Sequence, residues 1–356
     1  MTRYLVTGAA GFIGSNFVDH LLSQNSTELI LAVDALSYSG RRESLANAET
    51  DDRYRFIHCD INEQDRIAGI LDTESVDTIV HFAAESHVDR SISGPAPFIH
   101  TNITGTYHLL EAAREAWSTD NGTWHEARRF HHVSTDEVFG SLSPHEDGFR
   151  ETTAYDPRSP YSASKAASDH LVRAWRHTYG LPITISNCSN NYGPRQFPEK
   201  LLPLMILNAL HGRDLPVYGK GTNVRDWLHV KDHCVGLSLI LEKGIEGETY
   251  NIGTRNEWRN IDLVGQLCDT IDRLFTENSD LAFRFPAAAP VTGAGCRSLI
   301  TFVADRPGHD LRYAIDATKI ESLGFRAEQR IEEGLVDTVR WYIDNEYWWR
   351  PLMVGS

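Results

Sequence analysis

The 356 residues include 49 Asp and Glu against 34 Lys and Arg, a formal charge of −15, with 41% apolar and 23% charged residues. That balance is ordinary for a soluble globular chain with room for one large or two smaller domains, and it disfavours nucleic acid, whose phosphates need a basic face. An anionic ligand would have to be met by a local cluster of Arg or Lys working against the global field.

The first residues, Met1-Thr2-Arg3-Tyr4-Leu5-Val6-Thr7-Gly8, form too short an apolar run for a signal peptide. No stretch approaches the roughly 18 apolar residues of a membrane span. The expectation is a cytoplasmic protein with no membrane partner. Five scattered cysteines (Cys59, Cys188, Cys234, Cys268, Cys296) contain no CxxC pair, so reduced thiols are expected rather than disulfides or zinc.

In chain order, β-rich runs at Tyr4–Thr7, Leu29–Val33, Arg55–Cys59, Thr78–Phe82, Arg129–Ser134 and Ile183–Asn187 alternate with helical patterns beginning near Phe12, Arg41, Glu63, Asn102 and Tyr161. This alternation predicts an α/β fold, a Rossmann-type doubly wound parallel sheet with helices on both faces. Beyond about Asn190 the rhythm breaks at Pro194, Pro198, Pro203 and Pro216. The expected division is a first domain over 1–190, with segments near 225–252 returning to it, and a smaller, partly interleaved mixed α/β domain over 191–356. Pro286–Gly295 reads as a flexible surface loop, and the aromatic tail Trp341 to Trp349 as packed onto the body.

Gly8-Ala9-Ala10-Gly11-Phe12-Ile13-Gly14 follows the first strand and opens a helix. Small residues let backbone approach a pyrophosphate, and the helix N-terminus offers free N–H groups. The spacing is GxxGxxG, an approximate form of the dinucleotide fingerprint. Asp34, 20 residues after Gly14 at the end of the second strand, is placed to accept hydrogen bonds from the adenosine ribose. A carboxylate there repels a 2′-phosphate and favours NAD; Arg41 and Arg42 nearby keep NADP open. Asp60-Ile61, after the third strand, falls where an adenine would rest.

Tyr161-Ser162-Ala163-Ser164-Lys165 begins a helix after Pro160, with Tyr and Lys one turn apart on one face. A tyrosine titrates near ~10, and an adjacent ammonium together with a positive nicotinamide favours its phenolate. The combination of GxxGxxG and YxxxK resembles the extended short-chain dehydrogenase/reductase superfamily, which also places a Ser or Thr at the end of the preceding strand, where Thr135 stands. The run Ser134-Thr135-Asp136-Glu137-Val138-Phe139-Gly140 resembles the TDEVYG motif of the dTDP-glucose 4,6-dehydratases, with Phe139 replacing the usual Tyr. Sugar-nucleotide epimerases of the same fold lack the acidic pair. Two adjacent carboxyls in different environments suit dehydration, which needs a base for the C5 proton and an acid for the departing C6 hydroxyl. The resemblance implies Asp136 as acid, Glu137 as base, Tyr161 as acceptor of the C4 hydroxyl proton, and resident NAD.

The similarity runs over nearly the whole chain. Ala83-Ala84-Glu85-Ser86-His87-Val88-Asp89-Arg90-Ser91 resembles the family's fourth-strand loop, implying Ala83 and Ala84 against NAD and Ser86, His87 and Arg90 toward the sugar. Asn190-Asn191-Tyr192-Gly193-Pro194 and Phe197-Pro198-Glu199-Lys200-Leu201 resemble its diphosphate and sugar segment, implying Asn191 toward NAD and Asn190, Glu199, Lys200 and Leu201 toward substrate. Pro216 and Tyr218 fall at the nucleobase wall, and Asn260 joins the implied substrate contacts. Arg225 and Arg306 carry guanidinium forks suited to a diphosphate, with His309 beside the second. The contexts of His229, His233 and His309 give no metal expectation. Between roughly Phe283 and Ile300 the chain looks longer than the family pattern.

The expected partner is dTDP-glucose and the expected assembly a homodimer. UDP- or GDP-hexose dehydration, epimerisation, and a non-catalytic NAD or nucleotide-sugar binding protein remain the alternatives.

Overall fold

The computed structural model describes residues 1–119, 123–125 and 127–353. Its strands are β1 (Thr2–Thr7), β2 (Thr27–Asp34), β3 (Tyr54–His58), β4 (Thr78–His81), β5 (Arg129–Thr135), β6 (Ile183–Cys188), β7 (Asn190–Tyr192), β8 (Leu215–Tyr218), β9 (Val224–His229), β10 (Thr249–Ile252), β11 (Glu257–Arg259) and β12 (Ile300–Val303). Seven of them form one sheet in the order β10-β6-β5-β4-β1-β2-β3. Every pairing in it is parallel. Every residue of β4, β6 and β10 is buried, because helices cover both faces of such a sheet and leave no side for water. The chain leaves β1 toward β2 and β3, then returns to the other side of β1 with β4. That reversal opens a crevice at the carboxyl ends of β1 and β4, where ligands of doubly wound sheets bind.

Local chemistry sets the element ends that matter for the site. The helix Pro160–Tyr179 starts with a Ser159/Ser162 capping box and Pro160 in its first turn, and stops at left-handed Gly180. The helix expected near Arg41 is a single 3-10 turn, Arg42–Leu45. The one expected near Asn102 begins instead as a π-helical stretch, Ile99–Gly105, before the α-helix Thr106–Trp117. Within that stretch the buried Asn102 side chain accepts from Glu85 N (2.8 Å) and donates to Ser164 Oγ (2.8 Å), tying it to the neighbouring loop and helix.

A second core lies beyond the sheet, between the helices Leu201–Leu210, Asn260–Glu277 and Ile331–Asp344. Two small sheets accompany it, β11-β9-β7 and β12-β8. The tail closes this core: Trp348 and Trp349 are each 1% exposed, and Trp348 Nε1 donates to Ser44 Oγ (3.0 Å) in the first half of the chain. Pro286–Gly295 departs from the expected loop. Ala288 and Ala289 are buried, a short helix runs Ala289–Thr292, and flanking Phe285 and Cys296 are buried anchors. Alanine there is core-forming rather than merely permissive, and the segment leads through Cys296–Leu299 into β12, which pairs with β8. All five cysteines are free and buried. Among the described residues no helix is long and apolar enough to cross a membrane.

Candidate active site

A cavity of about 330 Å³ follows the carboxyl ends of the main strands. At one end it is lined by Gly8, Gly11, Phe12, Ile13, Gly14, Asp34, Asp60, Ile61, Ala83 and Ala84; at the other by Ser86, Thr135, Asp136, Glu137, Tyr161, Lys165, Asn190, Asn191, Glu199 and Lys200. These residues come from eight separate stretches of chain, and the parallel sheet brings all their strand ends to one edge.

The glycine turn is shaped by contact. Gly8 has φ +65°, and a Cβ on it would sit 2.6 Å from Ala83 N; one on Gly14 would sit 2.2 Å from Gly8 O. Gly11 leads into the helix Phe12–Leu22 with no side-chain cap, so the helix's first N–H groups face the cavity uncapped. Asp34 is held in place by Ala10 N (2.9 Å) and Leu36 N (2.7 Å), one to each carboxylate oxygen, which leaves further lone pairs for a diol. Arg41 pairs with Glu43 at 3.3 Å and Arg42 with Glu49 at 2.7 Å. With both cations engaged and Asp34 at the strand end, this end of the cavity suits a ribose with a free 2′-hydroxyl better than a 2′-phosphate. A dinucleotide therefore fits the residues present, with the turn for its pyrophosphate and Asp34 for its adenosine ribose.

At the other end β5 delivers Thr135, followed at once by the 3-10 turn Asp136–Phe139. Thr135 Oγ1 accepts from Glu137 N (3.3 Å) and contacts Asp136 Oδ1 (3.4 Å), while Asn187 Nδ2 donates to Thr135 O (3.0 Å). Gly140 closes the turn with φ +91°, where a Cβ would meet Asp156 O at 2.7 Å. The two carboxyls then part company. Asp136 is 1% exposed, its Oδ2 has no hydrogen-bond partner, and burial with Glu137 next to it pushes its pKa well above the usual carboxylate range. Glu137 is also raised by burial, but Arg306, Arg225 and Lys200 all pull it back down. One carboxyl is thus set to hold a proton and its neighbour to be the more readily ionised.

Tyr161 is buried, and burial together with Glu137 and Cys188 drives its pKa upward, against a smaller lowering by the Thr135 hydroxyl. The expected phenolate is therefore not supplied by the protein side chains alone. Lys165 donates to Val133 O (3.0 Å) and approaches His132 Nε2 (3.5 Å). Its pKa is lowered by burial and supported by Asp169.

The remaining predicted substrate residues lie around the cavity rather than in its lining. His87 caps the short helix Val88–Ser93, and Arg90 Nε donates to Glu199 Oε2 (2.9 Å). Arg225 is 4% exposed, stacks over Tyr313 with its Cζ 4.1 Å from the ring centre, and donates to Asp310 O (3.0 Å). Arg306 is less committed, 3.7 Å from Asp89. His309 Nδ1 lies 2.6 Å from Asp305 Oδ1 and its ring meets Tyr218 edge-on. Pro216 is in β8 against β12, Leu201 opens its helix, and Asn260 opens another with its Oδ1 buried and unpartnered. His229 and His233 are not in metal geometry: the first caps the helix Val230–Lys243, and the second contacts Asn191 Oδ1 at 2.9 Å. No group of three or more candidate metal ligands occurs among the described residues.

Sequence reasoning passed over Tyr38, whose hydroxyl donates to Glu199 Oε1 (2.9 Å) under the Arg90 guanidinium (4.1 Å), and which also lines the cavity with Thr101 and Cys188. Its only sequence signal is its place four residues after Asp34. His132 and Asp169, behind Lys165, carried no signal, since a histidine in a strand and an aspartate in a helix are commonplace.

Fold and site together define an extended short-chain dehydrogenase/reductase with an added carboxyl pair. The family model described as GDP-mannose 4,6 dehydratase matches residues 5–338. A dTDP-glucose 4,6-dehydratase of Escherichia coli is 52% identical, the match covering 99% of this chain and 97% of that protein. DesIV, the dTDP-glucose 4,6-dehydratase of Streptomyces venezuelae solved with NAD bound, is 45% identical with a TM-score of 0.87, covering 99% of this chain and 100% of that one. The Thermotoga maritima UDP-glucose 4-epimerase reaches a TM-score of 0.81 at 27% identity, over 97% of this chain and 100% of that one. Within the superfamily the chain belongs to the dTDP-glucose 4,6-dehydratase family. Its reaction is accordingly nucleotide-sugar 4,6-dehydration.

Proposed function

We propose that this chain converts dTDP-glucose to dTDP-4-keto-6-deoxyglucose and water, with NAD held between the glycine turn and Asp34. The observation that carries this is the split environment of Asp136 and Glu137, which the fold shared with epimerases does not require. Bound NAD supplies a hydride acceptor for C4 and a hydride donor for C6, so no net oxidation results. Tyr161 takes the C4 hydroxyl proton, its phenolate favoured by the cationic nicotinamide and the Lys165 ammonium. The C4 ketone acidifies C5, Glu137 removes the C5 proton, and Asp136 protonates the C6 hydroxyl as it departs. Glu137 then returns its proton to C5.

The proton count leaves Tyr161 one proton richer and Asp136 one poorer after each turnover. Thr135 lies 3.4 Å from Asp136 Oδ1 and its hydroxyl favours the Tyr161 phenolate, so it is the side chain we assign to pass the proton back.

For the substrate, Arg306, Arg225 and Lys200 all act on Glu137, and Arg225 acts on Asp136 as well. They provide the local positive field that an acidic chain needs to hold a diphosphate. Residues 1–190, with the segment near 225–252, serve the dinucleotide, and the rest mainly the nucleotide sugar. The working form is a cytoplasmic homodimer, supported by exposed Ile99, Tyr107 and Tyr179 along two neighbouring helical segments.

Incubation of the purified protein with dTDP-, UDP- and GDP-glucose, followed by mass and NMR, tests this. A 4-keto-6-deoxy product from dTDP-glucose is expected. A product of unchanged mass inverted at C4, or no turnover of any hexose, refutes it.

A further inference from the structure

Behind Lys165, on the side away from the cavity, lies a closed polar network with no solvent-exposed member at its centre. Asp169 is 0% exposed and does not line the cavity. Its Oδ2 accepts from Ser134 Oγ (2.9 Å) and Tyr155 OH (2.8 Å), and its Oδ1 is 3.2 Å from His132 Nε2. The same His132 nitrogen is 3.5 Å from Lys165 Nζ, so the imidazole stands between ammonium and carboxylate. Arg173, one turn further along the helix from Asp169, donates to Tyr155 OH (2.8 Å) and continues the network to a second cavity.

The charges around Lys165 can be assigned by element. From β4, His81 is held far below the usual histidine range, and from β5, His132 is pushed down to about 4; both are neutral at physiological pH. From β6, burial pushes the Cys188 thiol up to about 12, so it too is neutral. On its own helix, Lys165 has Tyr161 one turn before it and Asp169 one turn after it. His132, the Lys165 ammonium and the Tyr155 hydroxyl together hold the Asp169 carboxyl below its ordinary value despite burial. A buried ammonium without a counter-charge sheds its proton, and Asp169 is the one ionised acid packed behind it among the described residues.

Building on the dehydratase reading, we propose that Asp169, reached through His132, is the fixed counter-charge of Lys165: a positioning residue that keeps the ammonium charged beside Tyr161 without touching substrate or cofactor. Ser134 directly precedes Thr135, so the same carboxylate also ties down the strand end that bears the acid–base residues.

The sign follows from charge alone. Deleting a negative charge lowers the pKa of a neighbouring ammonium, so the pH at which Lys165 loses its proton falls. The test is a pH titration of the NAD-loaded protein labelled with ¹³C at lysine Cε, with Lys165→Met identifying the resonance. Asp169→Asn should move the Lys165 midpoint down by about one pH unit or more, and the alkaline limb of the dTDP-glucose turnover profile should move down with it. Superimposable titrations of wild type and Asp169→Asn would overturn the proposal. If Asp169→Asn does not fold, Asp169→Ser removes the same negative charge with a smaller side chain and should shift the Lys165 midpoint in the same direction; no shift there overturns the proposal equally. The NMR titration needs no substrate, so a wild-type protein inactive on dTDP-glucose counts against the function proposed above and leaves this measurement decisive for Asp169.

Discussion

On the proposed assignment of Glu137 as the base at C5, Glu137→Gln should separate oxidation from dehydration. The substitution is nearly isosteric, and the backbone bond from residue 137 to Thr135 Oγ1 (3.3 Å) does not involve the side chain, so the turn is preserved. What disappears is one negative charge and one base. Glu137 is the second-largest influence raising both Asp136 and Tyr161. Without it, Asp136 stays protonated by burial, while Tyr161 ionises more readily, so C4 oxidation should survive or quicken. Loss of a positioned general base costs on the order of 10²–10⁴ in rate, roughly 3–5 kcal/mol. Stopped-flow absorbance of reduced nicotinamide should therefore rise and persist after mixing with dTDP-glucose, while ketone product forms at least ~100-fold more slowly. Proton NMR in deuterated water should show no exchange at C5. Dehydration at the wild-type rate, or C5 exchange without slowing, would refute Glu137 as the base.

Gly14→Ala should abolish NAD retention, because its Cβ would lie 2.2 Å from Gly8 O and 3.0 Å from Ala9 Cα, backbone atoms that cannot swing aside; cofactor released on denaturing the purified protein measures it. Trp348→Ala should cost about 3–5 kcal/mol in denaturant unfolding, since it empties a buried indole and strands Ser44 Oγ across the two halves of the chain.

The parallel sheet was legible because its central strands are buried on both faces and so read as short β-rich runs without a polar-apolar alternation, as in Thr78–His81. The glycine turn was legible because two of its positions admit no Cβ. Legibility failed where long-range packing overrode local composition. Pro286–Gly295 has the residues of a loop, yet Gly212 lets Ala287 approach so closely that a Cβ there would meet Ala287 O at 2.1 Å, and the segment joins the core. Asp169 and His132 are 37 residues apart and acquire meaning only when β5 meets the helix Pro160–Tyr179. Tyr38 and Glu199, 161 residues apart, likewise meet only in space.

The three cations around Glu137 have two tasks that bear on each other. Arg306, Arg225 and Lys200 lower the Glu137 pKa against the effect of burial, and in the function proposed above Arg306 and Lys200 also meet the substrate diphosphate. A cation shared with phosphate stabilises a nearby carboxylate less than one facing it alone, because the phosphate's negative charge opposes the same field. Glu137 is therefore a weaker base in the free protein, where the cations serve it fully, and a stronger one once a diphosphate is bound. Arg225 limits the size of this change: its guanidinium is already committed to the Asp310 carbonyl and the Tyr313 ring, so it is a fixed part of the background. Lys200, donating to Ser86 O at 2.7 Å, and Arg306, only loosely paired with Asp89, are the ones whose field a diphosphate can redirect. On the proposed assignments, base strength at C5 is in this way tied to occupancy of the phosphate site, so that Glu137 is the stronger base when the nucleotide-linked sugar is bound.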